Sequence, residues 1–224
     1  MFYSHERKEQ TGSVNTVWPE MSTRGIDQDD MKKYLVMRGL NVAVAELNGV
    51  YPTRNATDNF LRVVIPAVST KEKHIYYQAR AVSQNVHLRY QTPKGPRCGA
   101  LIFVKAFENK PTKAIVIVEG PMDSLAVASC GYDSVALMGM KPGVLALEHL
   151  VKLVAGRPAL ISLDNEPEAK AAAFDIALKL SSAGSMTFCE SPKKGYKDLA
   201  EMPPKERLAW LKPRMHELER RLRC

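Results

Sequence analysis

The chain reads as an α/β protein: a mostly parallel sheet flanked by helices, preceded by a small basic α+β unit. Three observations predict this. From residue 114 onward short β-branched runs alternate with amphipathic stretches, and Gly131, Gly156 and Gly184 stand where helices should stop. Strand–helix alternation at that spacing demands right-handed crossovers and parallel neighbours. Before residue 110 the pattern is instead one of several short strands with little helix, as in an antiparallel sheet. Finally, the strands predicted at 115–118 and 159–163 both run straight into carboxylates, Glu119 and Asp164, at the edge of the sheet where α/β sites form.

Taken in order, residues 1–26 show no periodicity, so a flexible arm extending to about residue 30 is expected. Asp27, Asp29 and Asp30 favour a helix start, the helix stops at Gly39, and a second short helix covers 41–47. LRVVIP (61–66) predicts a strand closed by Pro66. IYYQARAV (75–82) and ALIFV (100–104) predict two more, and HLRYQTPKGP (87–96) predicts a strand running into a Pro/Gly loop. Residues 109–112 (NKPT) mark the expected boundary, giving a basic unit over 31–110 and an α/β unit over 111–203. In the latter, strands at 115–118, 134–138, 159–163 and 186–189 alternate with helices at 122–129, 144–154 and 168–182. Residues 204–224 predict a basic terminal helix, interrupted or kinked at Pro213.

No apolar run approaches the ~20 residues that span a bilayer, and MFYSHERKEQTGS lacks the apolar core of a secretory signal. A soluble cytoplasmic protein is expected, and the sequon at Asn55 is a chance match. Four scattered cysteines form no C-x-x-C pair, which argues for reduced structural thiols over a zinc ribbon or a disulfide framework.

The net charge of +8 is unevenly spread. Residues 69–97 hold Lys71, Lys73, Arg80, Arg89, Lys94 and Arg97 against Glu72 alone, and residues 205–224 hold seven basic and three acidic side chains. These two segments account for the whole excess. An acidic cleft between basic surfaces suits a metal-dependent enzyme acting on a polyanion such as nucleic acid; charge alone fits an ordinary solvated surface equally well.

Parallel strands bring Glu119, Asp123, Asp164, Glu166, Glu168 and Asp198 to one edge. Crowded carboxylates are costly unless a cation neutralises them, and hard divalent cations take oxygen ligands. The preference of acids for helix N-termini explains Glu168, and accounts for Asp123, but not Glu119, which precedes the turn. Tyr76, Tyr77 and Tyr90 fit either base stacking or cross-strand packing. His149, Trp18 and Trp210 read as structural.

VEGPMD (118–123), LDNE (163–166) and KDL (197–199) together resemble the Toprim domain of DnaG-type primases, topoisomerases and some nucleases. LRVVIP, YQAR (77–80) and RYQTPKG (89–95) resemble the basic half of a bacterial or phage primase core, so the resemblance covers roughly residues 30–203. It implies a Toprim-like fold and template-directed RNA primer synthesis on single-stranded DNA from ribonucleoside triphosphates, with Mg²⁺ or Mn²⁺. Glu119 resembles the family's glutamate, a general acid/base or metal ligand. Asp164 and Glu166 fall on its D-x-D metal pair, and Asp198 on a later acidic position; Asp123 joins them as a candidate ligand. Arg62, Arg80, Arg89 and Lys94 match basic positions that contact template or nucleotide, and Arg97, Lys71 and Lys73 extend that set. Glu166 departs from the family's aspartate, which leaves the inter-metal geometry open. The sequence shows neither the primase zinc-binding domain nor a G-x-x-x-x-G-K-[ST] loop. Template recognition and unwinding are therefore expected from other chains, a replicative helicase among them, in a bacterial, phage or plasmid setting. The same fold also serves Toprim nucleases, and a non-catalytic single-strand-binding accessory protein is the third reading.

Overall fold

The computed structural model describes residues 17–54, 58–70 and 75–221, which form two sheets and six helices among them. Helix α1 (Gly25–Met37) buries Met31 and Leu35, one turn apart on its inner face. It ends where Gly39 takes φ +65° and the N–H groups of Gly39 and Leu40 bond back to the carbonyls of Val36 and Leu35, the pairing that satisfies a helix's last acceptors. In α2 (Val42–Leu47), the Asn41 side chain accepts from the Ala43 and Val44 N–H groups.

The first sheet is antiparallel, in the order β1 (Tyr51–Arg54), β2 (Leu61–Ala67), β3 (Tyr76–Ala81), β4 (Tyr90–Gln91). Strand β1 is absent from the sequence expectation. Pro52 argues against a strand, yet β1 lies at the sheet edge, where a missing donor costs no ladder bond. Residues 17–24 lack regular structure but are fastened to β1: Ser22 N–H donates to the Pro52 carbonyl (2.8 Å), Thr53 Oγ1 to that of Glu20 (2.7 Å), and Tyr51 Oη to that of Pro19 (2.9 Å). The irregular stretch therefore ends at residue 24, and α1 begins inside the span expected to be an arm.

The second sheet has the order β5 (Ile102–Val104), β7 (Ser134–Ala136), β6 (Ile115–Val118), β8 (Ala159–Ile161), β9 (Thr187–Cys189). The last four are parallel. Strand β5 runs antiparallel to β7, so the strand expected in the first unit belongs to the second sheet. A bridge between Val68 and Leu101 joins the two sheets. The segment expected as a linker is pinned: the buried Asp133 carboxylate accepts from Ala106 N (3.0 Å), Thr112 N (3.1 Å) and Arg157 Nη1 (3.0 Å).

Strand β6 is buried throughout and its sides alternate. Val116 and Val118 face a core shared with α3 (Pro121–Ala128), α6 (Pro204–Arg221) and the first unit, while Ile115 and Ile117 face α4 (Val144–Val154) and α5 (Pro167–Ser182). The near-continuous apolar reading of this strand is that of a sheet covered on both faces. Helix α6 continues through Pro213, so the interruption allowed for there does not occur. No helix among the described residues is long and apolar enough to cross a membrane.

Gly39 also marks where α6 docks. A Cβ there would stand 2.5 Å from Pro204 Cγ, in a backbone conformation that L side chains rarely adopt. Gly39→Ala is expected to cost about 2–3 kcal/mol, combining left-handed strain with overpacking. Urea denaturation checks it; a loss under 0.5 kcal/mol, about the noise of a surface change, defeats the claim that this contact is tight.

Candidate metal centre and cleft

The chain leaves β6 toward β7 on one side and returns to β8 on the other, so the crevice beyond their carboxyl ends is a topological switch point. Three strand exits feed four acids into it. Glu119 follows β6 directly, Asp123 lies in the first turn of α3, Asp164 follows β8, and Asp198 lies between β9 and α6. One oxygen each from Asp123, Asp164 and Asp198 lie within 4.8 Å of one another. Gly120 makes room for this approach, since a Cβ there would meet Asp123 Oδ2 at 2.8 Å.

Asp123 is buried and accepts from Ala200 N–H (2.9 Å); burial, and then the Asp198 charge, push its carboxyl well above the usual range. Asp164 is raised by burial and by Asp198, with Lys197 opposing. Burial, followed by the Asp164 and Glu166 charges, pushes Glu119 up to about 7. Its Oε2 is buried with no hydrogen-bond partner. Glu166 caps α5 and is half exposed; its carboxylate and that of Asp164 converge on Lys197 (3.5 and 3.4 Å). Glu119 and Glu166 stand outside the tight triad. An orphaned carboxylate oxygen beside three close acids, all hard oxygen donors, fits a magnesium or manganese ion.

Glu119 gives a sign-definite prediction for the metal-free protein. Its folded pKa lies above the ordinary 4.5, so the contribution of Glu119 to stability is greatest below pH 4.5 and falls as pH rises to about 7. Glu119→Gln removes that penalty. The variant should exceed the parent by about 1–2 kcal/mol at pH 8, discounted for partial exposure, and match it at pH 4.5. Urea titrations in chelator at both pH values measure this, and a parent as stable as the variant at pH 8 refutes it.

Asp123 and Asp198 of the triad line a cleft of about 830 Å³ between the two sheets' units. Met122, Asp123, Lys197 and Asp198 come to it from the second unit; Arg80, Arg89 and Tyr90 come from the first. The Arg80 guanidinium sits 4.7 Å from the centre of the Tyr90 ring, and burial pushes the Tyr90 hydroxyl up to about 12.

The basic residues singled out in the sequence divide. Arg80 and Arg89 reach the cleft. Arg62 is fully buried, donating to Asp58 (2.8 Å) and to the Leu88 carbonyl (2.9 Å). Arg97 donates to the carbonyls of Leu137 (2.5 Å) and Met138 (3.4 Å), and so braces the turn after β7. Lys94 is exposed and lies outside the cleft lining. Lys71 and Lys73 lie outside the described residues, as does the Asn55 sequon. The sequence reading gave α1 as a helix but assigned it no part in the cleft, which its Asp30, Lys33, Tyr34 and Met37 and its C-cap Arg38 line. The signal was there, because those positions follow the i, i+3, i+4, i+7 spacing of one helical face.

Residues 116–202 match a family model described as Toprim-like. No curated protein matches the chain by sequence. Among solved structures, the Aquifex aeolicus primase fragment (zinc-binding and RNA polymerase domains) superposes with a TM-score of 0.60 at 18% identity, over 83% of this chain and 55% of that one. The RNA polymerase domain of Mycobacterium tuberculosis primase DnaG gives 0.58 at 16%, over 86% and 75%. The primase fragment of the bacteriophage T7 primase-helicase protein gives 0.55 at 17%, over 95% and 82%. At these identities the likeness is one of fold.

Proposed function

We propose that this chain, which carries a Toprim-like domain on the fold of a primase core, synthesises short RNA primers on single-stranded DNA. One observation carries the reading: Asp123 and Asp198 of the carboxylate triad line the same cleft as Arg38, Arg80 and Arg89. Acids and arginines gathered in one cleft suit a ribonucleoside triphosphate and a growing polyanionic strand.

In the reaction proposed, the 3′-hydroxyl of a ribonucleotide attacks the α-phosphate of an incoming triphosphate. The new phosphodiester bond forms as the bond to pyrophosphate breaks. Asp123, Asp164, Asp198 and Glu119 would hold magnesium or manganese, which supplies charge neutralisation at the phosphates. Glu119, whose buried Oε2 has no hydrogen-bond partner, would serve either as a ligand or as the acceptor of the hydroxyl proton. Arg80 and Arg89 hold phosphates, and Tyr90, kept neutral and faced by Arg80, offers a surface for a base. The template, the ribonucleotides, a cytoplasmic replication setting and a helicase partner belong to the same proposal.

The test is synthesis on mixed-sequence single-stranded DNA with labelled ribonucleotides. Short RNA products are expected with magnesium or manganese, lost on chelation and restored on adding the ion back. Template degradation instead would assign a nuclease. Salt-sensitive single-strand binding without product or degradation would assign an accessory role.

A further inference from the structure

Among the described residues, Lys197 alone forms ion pairs with the carboxylates of the centre. Its backbone is fixed: the N–H donates to Glu201 Oε2 (2.9 Å), and the carbonyl accepts from Asn165 N–H (2.8 Å). Its side chain is held far less. The ammonium lies 3.4 Å from Asp164 Oδ2 and 3.5 Å from Glu166 Oε1, longer than a well-formed charged hydrogen bond, and the side chain is 54% exposed. The same residue lines the cleft together with Arg38, Arg80 and Arg89. One flexible stem on an anchored backbone thus borders both the acidic pair and a cleft that holds three arginines.

We propose that Lys197 is a displaceable counter-ion. It neutralises the Asp164–Glu166 pair while the centre is free of metal. When a divalent cation takes the Asp164 oxygen into its coordination, the ammonium moves into the cleft, where the nucleotide's phosphates arrive. The inference rests on the reading of the centre as a metal site. A compact ammonium on four methylenes suits the movement better than a guanidinium fork, which would hold both carboxylates rigidly. A half-exposed pair is weak enough to break, whereas direct oxygen ligation by a hard cation is strong. Lys197 would then weaken metal binding and, in the same motion, add a positive charge to the cleft.

The experiment titrates the full chain with Mn²⁺, without nucleotide or template, and follows free ion by electron paramagnetic resonance in the parent and in Lys197→Met. About fivefold tighter binding by the variant is expected, because a surface-strength pair no longer has to be broken. In parallel, ¹³C-dimethylated lysines are followed by NMR as Mg²⁺ is added. The Lys197 signal, identified by its loss in the variant, is expected to shift. Equal or weaker Mn²⁺ binding by the variant overturns the inference while leaving the metal centre standing. Tighter binding with an unmoved Lys197 signal also overturns it, since only long-range charge is then at work. No binding by either protein overturns the metal reading and the inference with it.

Discussion

Asp164→Asn is expected to reduce primer synthesis at least 10³-fold while leaving the fold and single-strand binding intact. Asp164 occupies the junction of the centre, belonging both to the triad with Asp123 and Asp198 and to the pair bridged by Lys197. The amide keeps the shape of the carboxylate but replaces a charged oxygen ligand with a donor that repels a cation. Because the acids around it raise one another's pKa, removing one charge relieves repulsion, and the melting temperature should hold or rise. Product quantified on denaturing gels, beside a circular dichroism melt, separates the two effects. Activity within tenfold of the parent would remove Asp164 from the catalytic set.

Asp133→Ala should produce the largest loss of stability, about 3–5 kcal/mol, without touching the centre. Its carboxylate is 1% exposed and satisfies two backbone N–H groups and the Arg157 guanidinium. Truncation strands all three donors, and the desolvation cost of an unpaired buried group exceeds the net worth of the bond it made. Urea denaturation measures it. Asp133→Asn keeps an acceptor oxygen and should cost less, and a loss below 1 kcal/mol for the alanine variant would contradict the accounting.

Local features were legible where local chemistry decides them. The predicted bounds of β6 and α4 match the structure, because a β-branched run closed by Glu-Gly-Pro and an apolar periodicity bounded by glycines leave little choice. The acidic centre was legible for a related reason: parallel strands deliver their carboxyl ends to one edge whatever the loops do. Pairing across distance was not legible. Nothing in Ile102–Val104 says that its partner is β7 rather than β2, and β4 shrinks to two residues where a longer strand was expected. The basic side chains were least legible. Arg62 and Arg80 both sit on neighbouring antiparallel strands, yet one guanidinium is sealed beneath Asp58 and Leu88 and the other faces the cleft. The register pairs Arg62 with Ala81 and Arg80 with Val63, so the two side chains leave opposite faces of the sheet, and that pairing separates a structural arginine from a binding one.

The loan of β5 to the second sheet has a practical consequence for anyone dissecting the protein. A fragment that starts at residue 111 leaves β7 with an open flank. Ser134, Val135 and Ala136, all buried in the intact chain, would then offer bare backbone to any passing strand. The complementary fragment carries Ile102, Phe103 and Val104 with nothing to pair them. Each half would be sticky, and neither should be read as a report on the whole. For the same reason, recombining such halves between relatives succeeds only if β5 travels with β7, which makes the inheritable unit larger than the Toprim-like match itself.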